Sequence, residues 1–96
     1  MYYDDECNLA RLRVEFVARI SPEGLNQLLD DLLADGILNP GEKDHILQEH
    51  RSRVDRARDL FDTVMRKGNT SIEIMMKRLQ TRDQALYNHL MPHDLK

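Results

Sequence analysis

The chain has 96 residues, a formal net charge of −3 and charged side chains at 32% of positions. That length fits one compact domain, and the near-balanced charge excludes the clear basic excess of a nucleic-acid binder. Apolar runs are pairs and triplets, far short of the about 20 residues a membrane span needs, and the acidic start from Met1 to Asn8 has no cationic leader pattern, so a soluble, unprocessed, cytoplasmic chain is expected.

Leu9, Leu12, Phe16, Val17 and Ile20 recur at spacings of three and four, which predicts a first helix over residues 5–20. Arg11, Arg13, Glu15 and Arg19 fall on its other face. Ser21-Pro22 ends it, because proline disfavours helical geometry in the residue before it. The same pair opens a second helix over 22–35, with Ser21 as N-cap and Pro22 in the first turn. A glutamate at position 24 would cap better than the glycine found there. Leu25, Leu28, Leu29, Leu32 and Leu33 form the densest apolar stripe, with Asp30, Asp31 and Asp35 expected outside it. Gly36 is the expected stop.

Asn39-Pro40-Gly41-Glu42 predicts a capped third helix over 40–50, with Ile46 and Leu47 inward. A fourth helix is expected over 52–66, with Val54, Ala57, Leu60, Phe61, Val64 and Met65 inward and Lys67-Gly68 closing it. Arg51, Arg53, Arg56, Arg58 and Asp59 fall off that stripe. Asn69 or Thr70 is the expected cap of a fifth helix over 70–80, with Ile72, Met75, Met76 and Leu79 inward. Asp83 caps a sixth over 83–91, carrying Leu86, Tyr87, Leu90 and Met91 and ended by Pro92. No stretch alternates apolar and polar residues over a strand's length. The fold class is therefore all-α, a closed antiparallel bundle of six helices.

Candidate chemistry is sparse. Cys7 cannot form an internal disulfide, and its acidic neighbours disfavour a reactive thiolate, so it is read as a bystander. His45 and His50 are five apart, which on one helix would splay them; His89 and His93 are separated by Pro92. No metal site is expected. Asp30 and Asp31 are adjacent and diverge, and a domain this small has little room for a desolvating pocket, so no catalytic residue and no cofactor is expected. Gly36, Gly41 and Gly68 stand singly at helix boundaries, not in a phosphate loop, and the methionines read as core filling.

Charge is segregated by element. Asp30, Asp31 and Asp35, continued by Glu42 and Asp44, make helices two and three acidic. Arg13, Arg19, Arg53, Arg56 and Arg58 make helices one and four basic. Opposite patches on one rigid body allow head-to-tail association, open-ended where the rotation does not close.

The run LNQLLDDLLADGILNPGEKDHI, then VDRARDLFDTVMRKG, then DQALYNHL, resembles the caspase recruitment domain (CARD) of inflammatory caspases and their CARD-only relatives. The matching pieces are Leu28-Leu29-Asp30, Leu38-Asn39, Asp55-Arg56-Ala57-Arg58, Leu60-Phe61-Asp62, Val64 and Lys67-Gly68. The resemblance implies a death-fold bundle of Greek-key topology, often with a bent first helix. It implies a non-enzymatic module that binds other CARD proteins and its own copies, building filaments that cluster caspases or adaptors in inflammasome or apoptotic signalling. It also implies that Asp30 is an interface aspartate, Arg58 and Arg56 its helix-four counterparts, and Arg13 a basic position of helix one. Val14 and Ala18 stand where inflammatory caspases tend to be basic, with Arg11 and Arg19 nearby. The expected contact sets Arg56 and Arg58 of one subunit on Asp30 and Asp31 of the next. The alternatives are a CARD-only decoy that caps such an assembly and a helical nucleic-acid module, the second disfavoured by the net charge.

Overall fold

A computed structural model describes the backbone of residues 6–91 and the side chains of residues 9–91. Six helices follow one another: α1 Glu6–Arg19, α2 Pro22–Ala34, α3 Pro40–Glu49, α4 Arg53–Arg66, α5 Asn69–Arg82 and α6 Gln84–Leu90. No strand occurs among the described residues, so the chain is all-α as its periodicity predicts. The α1 helix is unbroken over its span. The Cys7 side chain, Pro92 and His93 lie outside the described residues.

Local chemistry sets most of the boundaries. The Ser21 hydroxyl accepts the Gly24 N–H at 2.9 Å, and Asn39 and Glu42 form a reciprocal capping box. Ser52 and Asp83 cap α4 and α6 the same way. At α2's end Gly36 takes φ +78°, a left-handed conformation open to glycine. There the Ile37 and Gly36 N–H groups bond back to the Leu32 and Leu33 carbonyls, closing the helix.

Two capping expectations are revised. Position 24 is crowded as well as capped: the site is buried, and a Cβ there would stand 3.0 Å from Ser21 Oγ and 3.3 Å from the Ile20 side chain, so a glutamate would have to displace one of them. The N-cap of α5 is Gly68, not Asn69 or Thr70, because Gly68 at φ +108° both ends α4 and starts α5, its carbonyl accepting the Ile72 N–H.

One core joins the six helices. Phe16, Leu28, Leu32, Ala57, Leu60, Val64, Met75, Leu79 and Leu90 are all fully buried. Phe16 and Phe61 meet with ring centroids 5.6 Å apart and tilted by 47°, pinning α1 to α4. Met75 and Met76 are core residues, whereas Met65 is only partly covered. The pairing is non-sequential: α1 packs on α4 and α6, and α2 packs on α5. α2 runs antiparallel to α5, since Asp31 and the C-cap Asp35 reach Arg82 and Arg78 in reverse order, and α1 runs antiparallel to α4, since Arg13 reaches Asp62 while Arg53 reaches the Val17 carbonyl.

Candidate protein-interaction faces

Each patch residue is positioned by a helix, and most are engaged within the chain. On the acidic side, Asp30 meets Lys43 of α3 at 2.7 Å and Glu42 meets Lys67 at 2.8 Å. Asp31 and Asp35 each accept two hydrogen bonds, from Nε and Nη2 of Arg82 and Arg78 respectively, a two-rung ladder linking α2 and its C-cap to α5. On the basic side, Arg13 grips Asp62 of α4, Arg19 bonds Glu15, and Arg58 bonds Asp55 one turn away. Arg53 donates to the Val17 and Ile20 carbonyls at the end of α1, and Arg56 donates to the Leu47 and His50 carbonyls at the end of α3. Nine of the ten patch residues thus have a partner in the chain, and Asp44 alone has none among the described residues.

These partners fall into two energetic classes. Asp31 is buried, with only 9% of its side chain exposed, so its expected place on an outer face is corrected. Arg53 and Arg56 satisfy carbonyls that helix ends leave without intrahelical partners, which makes them braces between helices. Asp30, in contrast, is 69% exposed, and Arg19 and Arg58 are 53% and 50% exposed. Exposed bridges of this kind contribute about 0–1 kcal/mol and exchange readily.

The two patches do not neutralise each other. The acidic residues pair with Lys43, Lys67, Arg78 and Arg82, and the basic ones with Glu15, Asp55, Asp62 and backbone carbonyls. They do approach at one place. A shallow groove of about 430 Å³ between α2, α3 and α4 is lined by Asn26, Leu29, Asp30, Lys43, Leu47 and Arg56. Asp30 therefore borders a brace of α4, while Arg58 lies beyond it on the side of α4 that carries Asp55.

The ion pairs set acid behaviour. Hydrogen bonding from Arg82 holds the Asp31 carboxyl below its ordinary range, Arg78 does the same for Asp35, and Lys67 with the Asn39 backbone does so for Glu42. A depressed carboxyl contributes stability that is complete above its unfolded pKa of about 4 and is lost as pH falls through the folded value. Asp31→Asn should lower the unfolding free energy at pH 7 by about 1–2 kcal/mol, discounted because Arg82 stays partly solvated. Urea melts at successive pH values should show the gap to the parent chain closing below about pH 4. A gap that is constant with pH would mean Asp31 is not held ionised by Arg82.

The family model for the caspase recruitment domain matches residues 7–93. The chain belongs to the CARD family. CARDs are death-fold, non-enzymatic interaction domains that bind other CARD-containing proteins. This CARD is 39% identical over 70 residues to baculoviral IAP repeat-containing protein 3 of Homo sapiens, covering 72% of the chain and 11% of that protein. It is 34% identical over 71 residues to NLR family CARD domain-containing protein 4 of Rattus norvegicus, covering 74% of the chain and 7% of that protein. It is 30% identical over 86 residues to caspase-1-B of Xenopus laevis, covering 90% of the chain and 22% of that protein. The chain thus spans a minor part of each relative's length. No solved structure matches it at comparable significance. No helix among the described residues is long and apolar enough to cross a membrane.

Two features escaped the residue pattern. The Asp31–Asp35 and Arg78–Arg82 ladder had a signal, since each pair is spaced i, i+4 on its helix and such pairs share a face. The second is a His45, His50 and Asp59 cluster at the α3–α4 junction. The five-residue spacing concealed it because α3 ends at Glu49, and His50, at φ −127° and ψ 136°, is extended backbone outside the helix.

Proposed function

We propose that this CARD acts by stacking on other CARDs, its own copies included, through an acidic face on α2–α3 and a basic face on α1 and α4. The parent setting is cytoplasmic caspase or inflammasome signalling, in keeping with the caspase and NLR names among its relatives. The observation that carries the reading is the state of Asp30 and Arg58. They are two of the four positions that the family resemblance marks as interface, both are exposed, and each makes only one weak bridge at the surface, whereas Arg13 and Arg56 are engaged across helices.

Assembly on this reading exchanges bridges. Asp30 leaves Lys43 and Arg58 leaves Asp55, and the two meet across a subunit boundary, with Asp44 and Arg19 flanking. Each exposed pair adds only about 0.2–1 kcal/mol, so one contact does not hold a dimer. A subunit in a filament makes several contacts at once, and effective concentration multiplies them. Negative-stain microscopy and light scattering of the pure domain are the test. Filaments are expected above a threshold concentration, and the threshold should rise with salt, because mobile ions screen exposed charges. Particles that grow more readily at high salt would rule out charge as the organiser.

The braces Arg53 and Arg56 favour a second reading. With both fixed on backbone carbonyls, the basic face is thinner than the residue pattern implies. A domain with one competent face caps a growing assembly. It would stay monomeric alone at every concentration and shorten the filaments of a partner CARD.

A further inference from the structure

His45, His50 and Asp59 converge where α3 passes into α4. The Nε2 atoms of His50 and His45 lie 2.9 Å and 3.5 Å from the same oxygen, Asp59 Oδ2. One donor atom from each residue lies within 4.8 Å of the other two. The two rings stand edge to face at 89°, with centroids 6.2 Å apart. We propose that this trio binds a divalent transition-metal ion of the zinc type.

The donor set suits that ion. Imidazole nitrogen and carboxylate oxygen are ordinary zinc ligands. Bonds of about 2.0–2.2 Å at a tetrahedral angle set neighbouring donors roughly 3.4 Å apart. The two distances to Asp59 bracket that value. The remaining adjustment falls mainly on His45, whose side chain is 61% exposed and free to turn.

The other two ligands are already held. Asp59 Oδ1 accepts the Thr63 hydroxyl at 3.2 Å, which leaves Oδ2 for the imidazoles. Thr63 itself is buried. Arg56 Nε donates to the His50 carbonyl at 2.7 Å and fixes the residue that bears the second ring. Supports of this kind orient ligands and raise metal affinity. A plain hydrogen bond accounts for His50 on Asp59. It leaves unexplained why a second, solvent-exposed ring closes on the same oxygen, since exposed pairs gain little in water.

Three protein donors leave one position open on the solvent side, where water or a donor from an approaching chain would complete the shell. The bound ion would staple the end of α3 to α4 and add positive charge beside Arg56.

Cobalt(II) titration of the untagged chain tests the proposal, with zinc as competitor. Visible d–d absorption of tetrahedral strength is expected, bleached by added zinc, together with a rise in melting temperature that grows with free metal. His45→Gln and Asp59→Asn should each weaken cobalt binding by at least about tenfold, and Thr63→Val by roughly tenfold through loss of its support to Asp59. His45→Gln changes an exposed side chain, so its circular dichroism should match that of the parent. Absence of a cobalt spectrum at molar excess overturns the site. So does binding that His45→Gln and Asp59→Asn leave unchanged, because the ion then sits elsewhere.

Discussion

Phe61→Ala should lower the unfolding free energy by about 3–5 kcal/mol, the range for deleting a buried phenyl ring. Phe61 is 1% exposed and Phe16 is fully buried, and the two rings form the seam between α1 and α4. Removing one ring loses its transfer free energy and opens a cavity against the other. The loss is large beside the total of about 5–15 kcal/mol expected for a native domain. No disulfide can compensate, since the chain has one cysteine. Urea unfolding followed by circular dichroism measures it. A loss below about 1 kcal/mol would show that the seam collapses around the gap or is poorly packed to begin with. The seam also sets the mutual register of α1 and α4, the two helices that carry the proposed basic face. Val54→Ala serves as a control: that side chain is only partly covered, so a smaller loss is expected.

Most of this fold is legible in the order of residues. Leucine spacing in α2 and the Val54–Met65 stripe in α4 name the inward faces before any coordinates. Pro22 and Pro40 start helices, and Gly36 and Gly68 end them at positive φ, because those backbone demands are local. Cross-helix partnership is what a linear reading misses. The residue pattern groups Asp31 with its neighbour Asp30 on an outer face, yet successive helix positions differ by about 100°. That turn carries Asp31 under Arg82 while Asp30 stays in solvent. Arg53 and Arg56 counted as surface charge until the ends of α1 and α3 arrived beneath them. The tight space beside Gly24 is likewise invisible in the residue order, because it is set by how the Ile20 side chain packs across the turn. The His45 and His50 pairing depends on where α3 stops, and that boundary is set by the turn into α4.

The same cross-helix bridges reshape the electrostatic picture. Residue counts put a negative pole on α2–α3 and a positive pole on α1–α4. The folded chain balances both locally, with partners drawn from α5 and from within α1 and α4. A long-range dipole is therefore weaker than the residue counts imply. On the proposed reading, recognition would rest on short-range exchange at the exposed positions, which is sensitive to salt and to single charge reversals. Asp31 and Asp35 then brace α2 against α5, while Asp30 stays exposed beside Lys43.

Charge reversal at the paired positions tests the central claim most directly. In a head-to-tail contact, Asp30 of each subunit faces Arg58 of the next, so Asp30→Arg or Arg58→Glu alone sets like charges together at every boundary. Each single variant should stay folded and monomeric by light scattering, under conditions where the parent chain forms filaments. The double variant Asp30→Arg/Arg58→Glu restores opposite charges at every boundary, and filaments should return. Single variants that assemble as the parent does, or a folded double variant that stays monomeric, would contradict the pairing of these two residues.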